Sequence, residues 1–165
     1  MASRVALLFL LCALPAFVAA GRLPKNQFSI NKYLLQGRVF CDTCRAGFET
    51  SATTYIEGAT VRVECKDRNT MEVRYTMEGT TDQTGTYKIR VNEDHEDQIC
   101  DCMLVSSPEL GCNTAAPGRD KARVTLTSYN GVASEDRYAN AMGFMKEEAV
   151  SGCDEILRQY QEFDE

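Results

Sequence analysis

The chain has 165 residues, 44% of them hydrophobic, and carries 24 acidic against 18 basic side chains, a net charge of −6. Such an acid excess leaves no general electrostatic footprint for nucleic acid or anionic lipid. The length suits one domain with its own core.

Residues Val5 to Gly21 are uncharged around an apolar centre (VALLFLLCALPAFV), preceded by Arg4 and closing on Val18-Ala19-Ala20. This predicts a secretory signal peptide over 1–20. A membrane anchor is the weaker reading, because the apolar part is short for the roughly 20 residues of a spanning helix and Pro15 interrupts it. Without residues 1–20 the chain keeps 145 residues, 17 basic and 24 acidic, and holds no second long apolar run. The expected product is secreted to the extracellular space, with no membrane insertion. Residues 21–34 read as an N-terminal extension and 35–165 as a single domain.

From Tyr33 the pattern alternates at period two, the signature of half-buried antiparallel strands. Strands are predicted at Leu35–Phe40 and at Ala59–Cys65, where residues 59, 61, 63 and 65 share one face. Val73, Tyr75 and Met77 face inward in a third strand and Tyr87, Ile89 and Val91 in a fourth. Cys100–Ser106, the run through Ala122, Val124 and Leu126, and Met142–Met145 complete seven, which is all-β and fits a sandwich or barrel. Asp82-Gln-Thr-Gly85 and Asn130-Gly131 supply turn residues that tolerate positive φ. Tyr55–Gly58 and Ser107–Asp120 read as loops.

The period changes at the C-terminus. Cys153, Ile156, Leu157, Tyr160 and Phe163 make one helical stripe, with Ser151-x-x-Asp154 as a capping box. The acidic residues around it read as the solvated face of that helix in preference to a surface for a basic partner or wall polymer.

Seven cysteines remain once Cys12 leaves with the signal: Cys41, Cys44, Cys65, Cys100, Cys102, Cys112 and Cys153. Cys41-x-x-Cys44 admits three readings. A thioredoxin-type couple needs a helix N-terminus in an α/β fold, whereas this pair follows a strand. A zinc site with Cys100-x-Cys102 has unusual spacing and competes with oxidation outside the cell. Separate structural disulfides are the favoured alternative, and the odd count leaves a thiol over. His95, the only histidine, sits in Asn92-Glu-Asp-His-Glu-Asp97. No nucleophile motif accompanies it and the acids lack EF-hand order, so a solvated turn is expected. No catalytic residue, cofactor or metal ligand is assigned, and the protein is read as not an enzyme.

The segments QGRVFCDTCRAGFET, EGATVRVECKD, TTDQTGTYKI, NEDHEDQIC and ANAMGFMKEEAVSGC resemble, in order and interval, the olive-pollen major-allergen (Ole e I-like) family. The resemblance implies a seven-stranded antiparallel β-sandwich or barrel with three disulfides: Cys41 with Cys112, Cys44 with Cys153, and Cys65 with Cys100. The family often carries a sequon at its Asn-Gly hairpin, which Asn130-Gly131-Val132 lacks. Cys102 is a second departure. If Cys100 faces the core, alternation puts Cys102 on the same face, as a free and buried thiol. The functional expectation is a monomer that acts by binding an extracellular protein, a receptor kinase among the classes considered, in reproduction or growth. The alternative is a wall-associated structural or polysaccharide-binding protein.

Overall fold

β1 (Asn31–Asp42) is the axis of the molecule, and it is paired along both edges. The computed structural model of the protein describes residues 31–161, so the signal-peptide reading and Phe163 lie outside the described residues. β1 starts inside the segment assigned above to the extension, because Tyr33 is already a core residue, 2% exposed.

Nine further strands are described: β2 (Thr54–Tyr55), β3 (Thr60–Asp67), β4 (Val73–Thr80), β5 (Thr86–Asn92), β6 (Gln98–Ser106), β7 (Thr114–Ala115), β8 (Lys121–Val124), β9 (Asp136–Tyr138) and β10 (Met142–Met145). The seven of four residues or more are the seven predicted ones. The three short strands, β2, β7 and β9, fall in stretches too brief to show a period. One sheet orders its strands β4-β3-β6-β8; the other is built on β1.

Along one edge of β1 run β5, antiparallel from Asn31 to Arg38, and then β2. Gly85 lies where they meet, with φ +71 and a would-be Cβ 2.7 Å from both the Val39 carbonyl and Tyr55, so no side chain fits there. Along the other edge β9 and β10 pair in parallel. Their registers, Leu34 with Asp136 and Val39 with Met142, differ by one residue, so they act as one strand with a break. Purely antiparallel pairing, expected from the sequence, is corrected here. The chain reaches this edge only after visiting the second sheet, and a crossover of that length permits parallel pairing.

The core lies between the sheets. Tyr33, Leu35, Val39, Tyr87, Ile89, Val91, Met142 and Phe144 face Val61, Val63, Cys65, Cys100, Cys102, Ala122, Val124 and Leu126. Each fully buried apolar side chain contributes about 1.5–3 kcal/mol. Val73 is 50% exposed, against expectation, because β4 is the edge strand of its sheet. α1 (Cys153–Gln161) begins after Gly152, whose carbonyl accepts from the Glu155 and Ile156 amides at 3.2 Å. Among the described residues the expected Ser151 capping box does not form: Gly152, at φ 86, turns the chain before the helix.

Two polar groups join the open side of the sandwich. Arg137 is 6% exposed, lies 4.6 Å from the Tyr33 ring, and donates to the Thr125, Thr127, Ser134 and Asp136 carbonyls. The planar guanidinium serves carbonyls of two segments, the stretch that follows β8 and the run that enters β9. Nearby, Asp94 accepts from Lys32 at 2.5 Å, Tyr33 at 3.0 Å and the Ser128 amide at 3.1 Å. Burial opposes its ionisation, yet the bonds from Lys32, Thr127, Ser128 and Tyr33 hold its carboxyl well below the usual carboxylate range.

Arg137→Met is expected to cost about 2–4 kcal/mol by stranding these carbonyls, read as a lower melting temperature. A carboxyl held low when folded stabilises the fold fully above its unfolded pKa of about 3.9, and that contribution is lost as pH falls toward the folded value. Melting temperature should therefore drop below about pH 4, less steeply in Asp94→Asn, as thermal scans against pH will show.

Candidate functional site

The Cys41-Asp-Thr-Cys44 segment ends β1 and opens into a turn. Cys41, wholly buried, bonds Cys112, while Cys44 bonds Cys153 at the start of α1. The two cysteines leave the strand end in different directions, so they form neither a redox couple nor half of a zinc site. Cys65 bonds Cys100 directly across the β3–β6 pair. These are the pairs implied by the family resemblance. The loops span 71, 109 and 35 residues. Such closures contribute about 3–5 kcal/mol each in the chain-entropy account, less than additively where they overlap.

Between the two cysteines, Asp42 is 1% exposed and organises the turn. Its carboxylate accepts from the Ala46 amide at 2.9 Å and the Gly47 amide at 2.7 Å, and its carbonyl from the Lys146 amide at 3.1 Å. Arg45, at φ 56, donates to the Lys146 and Glu147 carbonyls at 2.6 and 2.9 Å. Arg119 reaches the Gly47 carbonyl at 2.8 Å, and the Phe48 and Tyr160 rings meet edge-on with centroids 5.0 Å apart. The motif thus fastens the 111–119 loop, the exit of β10 and α1 to the end of β1. The sequence reading missed Asp42, although an Asp just past a strand with Gly47 after it is a turn signal.

Cys102 is a free thiol, buried opposite Val63 and Ala122. Burial pushes its pKa up to about 11, so the reactive thiolate is scarce at neutral pH. The Tyr87 hydroxyl lies near it without hydrogen-bond geometry, and burial raises that phenol too.

His95 departs from its expected place in a solvated turn. It is 5% exposed, packs 4.7 Å from the Tyr75 ring, and donates from Nε2 to the Asn92 carbonyl at 3.0 Å while Nδ1 meets the Gln98 side chain. Its imidazole also lies beside Cys65 and Cys100. Those sulfurs are bonded to each other and offer no thiolate, and both ring nitrogens are engaged, so the cluster is packing and not a metal centre. Two clefts of about 210 and 370 Å³ flank β8. Among the described residues no hydrogen bond joins a hydroxyl lining either cleft to a carboxylate that lines it.

A family model described as "Pollen protein Ole e 1 like" matches residues 31–161. The protein DOWNSTREAM OF FLC of Arabidopsis thaliana is 48% identical over 126 residues, 76% of this chain and 77% of that one. Pollen allergen Phl p 11 of Phleum pratense is 43% identical over 129 residues, covering 78% and 90%. The anther-specific protein LAT52 of Solanum lycopersicum is 42% identical over 123 residues, covering 74% and 76%. Among solved structures, the major plantain pollen allergen Pla l 1 superposes with a TM-score of 0.65 at 28% identity, over 73% of this chain and 98% of that one.

Iodoacetamide at pH 8 should leave Cys102 unmodified in the native protein and label it fully in denaturant without reductant. Peptide mapping checks both, and rapid native labelling would show that the thiol is open to solvent.

Proposed function

The chain belongs to the Pollen protein Ole e 1 like family, and from that premise we propose that it is a secreted, non-catalytic protein that works by binding another extracellular protein. The observation that carries this reading is where the family's most distinctive motif points. Cys41, Asp42, Thr43 and Cys44 are all buried, and their polar groups bond to the chain's own backbone or to partner cysteines. A motif wholly engaged in holding loops leaves no reactive group, so activity falls to the surface of a rigid scaffold.

Three disulfides suit an oxidising compartment. No helix of the described residues is long and apolar enough to cross a membrane. The relatives' names speak of pollen and anther, which supports a place in reproduction; the partner class proposed is a receptor-kinase ectodomain. The protein acts as a monomer and takes neither nucleic acid nor a cofactor.

Photo-crosslinking of the tagged, secreted protein on living tissue is the test. One or a few defined extracellular protein adducts are expected, competed by untagged protein. Retention in the salt-washed wall fraction with no protein adduct would sink the reading in favour of a wall-polymer role.

A further inference from the structure

The two sheets treat their outward cations differently. On β3, β4, β6 and β8, Arg62 meets Glu78 at 2.6 Å, Arg123 meets Asp101 at 2.5 Å, Lys66 meets Glu64 at 3.0 Å and Arg74 meets Glu72 at 3.0 Å. Lys121 at the start of β8 is the exception. This surface is neutralised from within.

Among the described residues, the outward face of β5, β1 and β9 is neutralised only at Lys32, which meets Asp94 at 2.5 Å. Register sets Arg90 beside Leu34, Lys88 beside Gln36, and Arg38 beside Thr86, with Asp136 and Tyr138 along the far edge. Arg38, Lys88 and Arg90 are exposed, and among the described residues none forms an ion pair with a carboxylate. The nearby acids are turned to local neutral donors, although Asp82 also feels the charge of Lys88. Asp136 accepts from Gln36 and Ser134, and Asp82 from the Thr84 hydroxyl and the Thr84 and Thr86 amides. Lys88 and Arg90 are open, while Arg38 donates to the Thr84 carbonyl at 3.3 Å and keeps its charge unpaired by any carboxylate; three such cations on one face of a chain with a net charge of −6 are a local inversion of its field.

Lys88 and Arg90 are two residues apart on one strand, about 7 Å, and Arg38 continues the row from the neighbouring strand about 5 Å away. Alternate side chains of an extended peptide recur at the same interval. A sugar polymer would want free aromatic faces, but Arg38 lies 3.3 Å over the Tyr55 ring and covers it. Only Tyr138, 74% exposed, remains open at this face.

We propose that the outward face of β5–β1–β9 docks an extended acidic segment of a partner protein, with Lys88, Arg90 and Arg38 meeting alternate carboxylates and Tyr138 packing at the rim. This rests on the binding role proposed above and names its surface. The acidic remainder of the molecule repels such a segment elsewhere, so the field also orients the encounter.

The probe is a synthetic peptide of alternating glutamate and threonine, titrated into the full secreted chain by calorimetry and by amide chemical shifts. Binding should map to β5 and β1, weaken with salt, and fall at least about tenfold in the double variant Lys88→Glu, Arg90→Glu, while Lys121→Glu on the other sheet binds as before. The neutral pair Lys88→Gln, Arg90→Gln should give an intermediate loss if the reversal disturbs folding. Unchanged affinity in either double variant overturns the assignment. So does binding of polygalacturonate but not of the peptide, which would make the occupant a wall polyuronate. Self-association that the double variant abolishes would instead make it a second copy. With the double variant as crosslinking bait, an unchanged adduct overturns this face and leaves the binding role. A wild-type bait that takes no protein while the peptide still binds overturns that role and leaves the face.

Discussion

A buried strand must find hydrogen-bond partners on both edges, and the twelve residues of β1 impose that demand on most of the chain. No single neighbour is long enough to meet it. Four strands share the work, β5 then β2 on one side and β9 then β10 on the other. Each handover needs special local chemistry. At the first, Gly85 lets the turn tip touch Val39. At the second, one extra residue separates the two parallel registers. Close to the strand's end, the Phe40 ring lies over Gly143, where an added Cβ would sit 2.6 Å from it. The packed core follows from this arrangement, since the inward row of β1 fixes which residues the second sheet must cover.

Much of this was legible in the sequence for a simple reason. Period-two alternation records which face of a strand is buried, and Val61, Val63, Tyr87, Ile89 and Ala122 carry it without ambiguity. Alternation does not record the neighbour or its direction, so the parallel edge of β1 was invisible. Two-residue strands such as β2 and β7 are too short to alternate. Arg137 and His95 were hidden differently: both are residue types that usually reach water, and only the folded chain supplies the carbonyls and the Tyr75 ring that hold them inside. The cysteine pairing came from likeness to a family, because spacing alone left Cys41 and Cys44 open to several chemistries.

Structure and interaction are divided between different residues. The segment from Cys41 to Phe48 is turned inward and fastens three distant parts of the chain. In the binding role proposed above, specificity for a partner resides in side chains that project from regular strands, where alternation fixes their spacing and a rigid sheet fixes their direction. Such positions can vary without endangering the core. A stapled scaffold of this kind can keep its architecture while its outward faces diverge.

The clasp between Cys44 and Cys153 embraces most of the described chain. A single peptide-bond cut anywhere between those two residues yields two pieces that remain one covalent molecule, and for much of the length Cys41–Cys112 ties them a second time. Nicking by a protease between Cys44 and Cys153 therefore neither releases a fragment nor frees the helix from the sheet. Persistence of the nicked molecule depends on the redox state of the surroundings more than on the number of cleavable bonds exposed.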